Sequence, residues 1–184
     1  MKKVLFLGYS REKTSLIGAL EAHNCYVYQT EEVLTRSDQW DLVISFGYRH
    51  ILSKKLIAEL AAPIVNLHTS YLPYNKGAHP NFWAFYDNTP HGVTIHEIDE
   101  KLDTGAIIFQ KQITFAPDEN TFSKTYQRLF NEIETLFIDN IDTILSCKWI
   151  ATPQEGRGTY HRASELPDGI DWNADIKEYL RGLK

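Results

Sequence analysis

Residues 42–47 read Leu42-Val43-Ile44-Ser45-Phe46-Gly47, a nearly unbroken apolar run stopped by a glycine. A strand covered on both faces of a parallel sheet has this signature, because neither face needs polar residues. Working outward, the signature recurs at Val4-Leu5-Phe6-Leu7 before Gly8 and at Pro63-Ile64-Val65-Asn66-Leu67. Cys25 to Tyr28 supplies a further strand. Between these runs the period changes to that of a helix. Leu16, Ile17 and Leu20 share one face, and so do Leu56, Ile57 and Leu60. Strand and helix alternate, which predicts an α/β fold: a Rossmann-like, mostly parallel twisted sheet with helices on both faces and right-handed crossovers.

The second half has a different rhythm. Val93, Ile95 and Ile98 suit one strand, and residues 106–115 suit another. Between them lies a loop with Asp, Lys and Gly at residues 99–105. Residues 121–145 form the longest helix candidate, with Leu129, Ile133, Leu136, Phe137, Ile141 and Leu145 at helical spacing. Residues 153–169 are polar and rich in Gly and Pro, as expected of a surface arm or lid, and a last short helix is expected over residues 174–183. At 184 residues the chain suits one domain, residues 1–184, with a C-terminal arm from about residue 151.

Composition narrows the function. Apolar residues make up 43% and charged residues 23%, too apolar for a disordered chain. The formal net charge is -5, so no basic surplus exists to neutralise a phosphate backbone, and nucleic acid is not expected as a partner. Cys25 and Cys147 are far apart and form no CxxC pair, which argues against a disulfide framework or structural zinc and suits a reducing compartment. The apolar stretch after Met1-Lys2-Lys3 is too short for a secretion signal. No apolar run approaches the ~20 residues needed to cross a bilayer. A cytoplasmic protein without a membrane partner is expected.

In an open parallel sheet, ligands bind beyond the carboxyl ends of the strands. Asn66 and His68 stand at such an end. Ser70, Leu72-Pro73 and Lys76-Gly77 follow, then Gly92-Val93-Thr94-Ile95-His96 and Asp99-Glu100-Lys101-Leu102-Asp103-Thr104-Gly105. The string NLHTSYLPYNKGAHPNFWA followed by HGVTIHEIDEKLDTGAII resembles the folate-dependent formyltransferases, most of all those acting on nucleotide-linked amino sugars. The likeness runs from about Phe46 to Ile108.

That resemblance implies the formyltransferase version of the sheet and matches the family's catalytic asparagine, histidine and aspartate to Asn66, His68 and Asp103. The chemistry suits those side chains. An amine attacks a formyl carbon and negative charge grows on the formyl oxygen, where an amide N–H of Asn66 stabilises it. The amine must lose a proton, and His68 changes charge near neutral pH. A carboxylate at Asp103 orients the imidazole and favours its charged form. No metal is called for. The resemblance further implies 10-formyltetrahydrofolate as co-substrate, with Phe46, Tyr48, Arg49, His50, Ile51 and Leu52 along one side of the pterin pocket and Glu97, Ile98 and Asp99 on the other.

Three acceptor classes divide the family. Gly8-Tyr9-Ser10-Arg11 lacks the small-residue run that holds the phosphate of glycinamide ribonucleotide. A tRNA acceptor needs positive charge that this chain lacks. A nucleotide sugar carried by UDP or dTDP remains. Tyr9, Trp83 and Tyr160 are candidates to stack on its base, and Arg11, Lys76 and Arg162 to pair with its pyrophosphate, as are Lys13 and Arg157. Ser10, Ser70, Gly77, His79 and Asn81 complete the expected acceptor set. A glycinamide ribonucleotide enzyme and an inactive ligand-binding relative stay open as alternatives. An NAD-binding protein is disfavoured by the absence of GxGxxG after the first strand. The long helix or a surface strand is available for a homodimer.

Overall fold

The computed structural model describes residues 1–35 and 39–183. Its centre is a six-stranded sheet. β1 (Lys2–Gly8), β2 (Cys25–Thr30), β3 (Leu42–Phe46) and β4 (Ile64–His68) are all parallel, and β6 (Gly92–Glu97) and β7 (Ile107–Gln112) extend it antiparallel. The spatial order is β2-β1-β3-β4-β6-β7. The apolar runs behave as expected of strands buried on both faces. Val4 and Phe6 point into one core with Leu42, Ile44 and Phe46, while Leu5, Leu7 and Val43 point into another.

Helices cover both faces. On the first lie α1 (Leu16–Ala22), α4 (Phe122–Asp139) and α5 (Ile141–Ser146), whose Leu16, Ile17, Leu129, Ile133, Phe137 and Ile144 join the larger core. On the second lies α2 (Lys54–Leu60), where the Ser53 hydroxyl accepts the Leu56 N–H as an N-cap and Leu60 is buried.

Three features differ from the sequence expectation. The helix expected over residues 121–145 is two helices. Asn140 takes φ -116°, ψ 15°, and its side chain donates to the Leu136 carbonyl, which diverts the helical ladder before it can continue. A short helix, α3 (Pro80–Tyr86), stands within the string that begins at Asn66, with Pro80 at its start. The C-terminal arm forms defined structure. Its β8 (Tyr160–His161) pairs in parallel with β5 (Lys76–Gly77), while the short helix expected over residues 174–183 is present as α6 (Ile176–Leu183), which packs Ile176 with Phe82, Trp83 and Phe122 in a third apolar cluster. Among the described residues, no helix is long and apolar enough to cross a membrane.

Candidate active site

The carboxyl ends of β3 and β4 open into a cavity of about 440 Å³. Asn66 and His68 are one pleat apart on β4, so their side chains emerge on the same side. Asp103 arrives from the β6–β7 loop, held there by a left-handed backbone (φ +54°). Gly105 permits this loop to fold back. A Cβ at that position would lie 1.8 Å from the Glu97 carbonyl oxygen, so only glycine fits.

The three polar residues meet around Asp103. Its Oδ2 accepts the Gly77 N–H at 2.8 Å and lies 3.8 Å from His68 Nε2. Its Oδ1 accepts from Asn66 Nδ2 at 3.3 Å. His68 Nε2 also meets the Asn75 carbonyl oxygen at 3.1 Å. A carbonyl only accepts, so Nε2 carries the proton and the lone pair of the neutral ring sits on Nδ1.

His96 completes the cluster. It faces Asn66 directly in the β4–β6 register. Its Nδ1 lies 2.8 Å from the Glu97 carbonyl oxygen, so Nδ1 is protonated. Burial drives the His96 pKa down to about 4, with nearby His68 pushing the same way and Asp103 opposing it. The ring is therefore neutral at pH 7, and Nε2 accepts from Asn66 Nδ2 at 3.1 Å. This fixes the Asn66 amide with its N–H groups towards His96 and Asp103. Asn75, His96 and Gln154, whose Nε2 donates to the carbonyls of Asp103 and Gly105, were not among the expected site residues. Only His96 left a trace in the sequence, as a histidine that follows the apolar or Thr residues Val93, Thr94 and Ile95 in a strand.

Of the expected pterin residues, Phe46, Tyr48, His50, Ile51, Leu52, Ile98 and Asp99 line the cavity together with Asn66, His68 and Asp103. Arg49 lines an adjoining cleft with Lys13 and Glu31. Glu97 does not line the cavity, because its carboxylate accepts from Trp149 Nε1 at 2.9 Å.

The expected acceptor residues divide. Tyr9, Gly77 and His79 line the cavity. Tyr9 shares a 2.9 Å hydroxyl contact with Tyr126, whose own hydroxyl is raised well above its usual pKa by burial and by that contact. The rest do not line it. Ser10 donates to Glu12, and Arg11 is an exposed ion pair with Glu21. Ser70 is buried and donates to the Tyr74 carbonyl. Asn81 is buried and donates to Phe122 O and Thr125 Oγ1. Trp83 is a core residue, 6% exposed and stacked on His161 at 4.0 Å, so its face is not free for a base. Lys76, Tyr160 and Arg162 lie outside the cavity: Lys76 and Tyr160 pair in the small sheet, and the Arg162 N–H donates to Glu165.

Comparison with known proteins supplies the context. The model of the formyl transferase family matches residues 22–141. A methionyl-tRNA formyltransferase of Listeria monocytogenes is 32% identical over 170 residues, covering 85% of this chain and 54% of that protein. The chain thus spans about half the length of the curated relatives it matches. The dTDP-4-amino-4,6-dideoxyglucose formyltransferase of Mycobacterium bovis is 34% identical over 114 residues, 62% of this chain and 47% of that protein. Among solved structures, the formyltransferase PseJ of Anoxybacillus kamchatkensis is 37% identical with a TM-score of 0.85, covering 96% of each chain. It was solved in complex with UDP-4,6-dideoxy-4-formamido-L-AltNAc and tetrahydrofolate.

Proposed function

The chain belongs to the formyl transferase family, and from that premise we propose that it moves the formyl group of 10-formyltetrahydrofolate to the amine of a UDP- or dTDP-linked amino-deoxy sugar. The observation carrying this reading is the 37% identity, over 96% of both chains, to a formyltransferase solved with a UDP-formamido sugar and tetrahydrofolate.

In this reading Phe46, Tyr48, His50, Ile51 and Leu52 on one side and Ile98 and Asp99 on the other enclose the pterin. Ile51, 82% exposed, is an apolar surface that a flat ring would cover. The folate supplies the activated formyl group. Asn66 turns an N–H to the formyl oxygen as charge develops there, giving up its longer 3.3 Å bond to Asp103 while keeping His96. His68 takes the proton of the attacking amine at Nδ1, and Asp103 stabilises the imidazolium across the 3.8 Å gap from its Nε2. As the bond between the formyl carbon and the folate nitrogen breaks, that nitrogen leaves with a proton, which returns His68 to its neutral form and releases tetrahydrofolate and the formamide. The cytoplasm, where folate carriers and nucleotide sugars occur together, is the setting this reading requires.

The matches to methionyl-tRNA formyltransferases support a second reading with a tRNA acceptor. Net charge -5 weighs against it. The test is formylation with 10-formyltetrahydrofolate and a panel of acceptors: UDP- and dTDP-amino sugars, methionyl-tRNA and glycinamide ribonucleotide. Turnover of an amino sugar is expected. Turnover of methionyl-tRNA or glycinamide ribonucleotide alone would overturn the sugar reading.

A further inference from the structure

His68 reaches its tautomer through Asn75, and Asn75 is held from the far end of the chain. Asn75 is fully buried in a left-handed conformation (φ +53°). Its side-chain amide donates to the Thr89 hydroxyl at 2.8 Å. Its backbone N–H donates to the Thr159 hydroxyl at 2.7 Å, and that hydroxyl in turn donates to Asn75 Oδ1 at 3.1 Å. A hydroxyl has one proton to give, so the reciprocal pair uses it fully. The Thr159 carbonyl also accepts the Lys76 N–H at 3.0 Å. Thr159 is brought there because Gly158 packs on Pro73, where a Cβ would stand 1.8 Å from the Pro73 carbonyl oxygen. The segment expected from sequence to be a surface arm or lid is therefore a brace behind the site. None of residues 151–169 lines the main cavity.

We propose that Thr159 is a positioning residue for His68, acting through Asn75. Its hydroxyl holds the Asn75 backbone so that the carbonyl receives the His68 Nε2 proton. That keeps the lone pair of the neutral ring on Nδ1, the nitrogen that takes the amine proton. The tautomer follows from the hydrogen bonds alone, whereas the proton's origin rests on the formyl-transfer reading. Nε2–H and Nδ1–H imidazoles differ in where they accept a proton, so a mixed population leaves part of the enzyme unable to act as base. Misplacement of a catalytic group by about 1 Å is enough to cost on the order of 100-fold in rate.

The test pairs imidazole 15N NMR with kinetics on the full chain, using Thr159→Val, Thr159→Ser and Thr159→Ala, with the His68 signal assigned by its loss in His68→Gln. Wild type and Thr159→Ser should show the Nε2–H tautomer at His68 and similar kcat. Thr159→Val should mix the tautomers and lower kcat by on the order of 100-fold with little change in folate KM. Thr159→Ala takes its place if Thr159→Val does not fold. An Nδ1–H tautomer in wild type overturns the proposal, whatever the variants do. So does a valine variant with wild-type tautomer and rate, or a serine variant as impaired as valine. If wild type formylates no acceptor, the functional reading fails, while the NMR comparison still decides the role of Thr159.

Discussion

Asn66 and His96 face each other across β4 and β6, with Asn66 Nδ2 3.1 Å from His96 Nε2, and the proton on His96 Nδ1 dictates which way the Asn66 amide points. An amide placed at random would offer the cavity either its oxygen or its N–H groups. A neutral histidine with Nε2 as acceptor allows only the N–H side to face the cluster.

Asn66→Asp therefore removes the donor and sets a second carboxylate against Asp103 Oδ1. Loss of one such donor typically lowers kcat about 10²- to 10³-fold. The His96 titration should at the same time move up from about 4, because a carboxylate now faces Nε2. Steady-state kinetics and imidazole NMR check the two effects. Unchanged activity would remove Asn66 from the oxyanion role.

Acid should weaken the fold in a defined window. His96 and His91 both have pKa values lowered to about 4, chiefly by burial. Around His96 stand Asp103, His68 and Asp99, while His91 packs on Phe85 and Phe115. The unfolded chain binds these protons near pH 6.5, the native protein only near 4. Stability is thus complete above about pH 6.5 and falls as pH drops towards 4, by up to about 1.4 kcal/mol per pH unit for each histidine. Denaturant midpoints between pH 7 and 4.5 measure this. A flat profile over that range would contradict the burial of both rings.

Gly105→Ala tests the loop that carries Asp103. Its Cβ cannot coexist with the Glu97 carbonyl oxygen 1.8 Å away, so the loop must shift. A destabilisation of about 1–3 kcal/mol is expected, together with a lower kcat as Asp103 leaves Gly77 and Asn66. A variant of wild-type melting temperature and rate would show that the loop is not tightly held.

Trp83 and Ile51 should behave in opposite ways. Trp83→Ala removes a core residue and should cost about 3–5 kcal/mol. Ile51→Ser, at an exposed position on the cavity, should leave the melting temperature unchanged and raise the KM for the folate. Calorimetry and kinetics on both variants separate packing from binding. A Trp83→Ala protein of full stability with impaired acceptor binding would restore the tryptophan to the site.

The sheet was legible because its apolar runs are local. Leu42 to Phe46 and Val4 to Leu7 need no partner to announce strands buried on both faces, and the first four strands are parallel as expected. The break at Asn140 was not legible, because apolar spacing continues through it while one side-chain bond to the Leu136 carbonyl interrupts the backbone. Trp83 was misread for a related reason. An aromatic residue in a motif string looks the same whether it faces a ligand or, as here, His161 and the third apolar cluster.

The sequence by itself determined the α/β alternation and the order of Asn66, His68 and Asp103 around a Leu-Asp-x-Gly loop. The first is written in short-range periodicity, which each segment carries alone; the second is read from the likeness of the motif strings to a known family. Only the tertiary structure decided which proton each imidazole bears. That depends on where the carbonyls of Asn75 and Glu97 point. A left-handed residue braced by Thr159, 84 positions away, sets the first, and the close of a strand paired with β4 sets the second. Directional bonds between distant segments exist only once those segments have met.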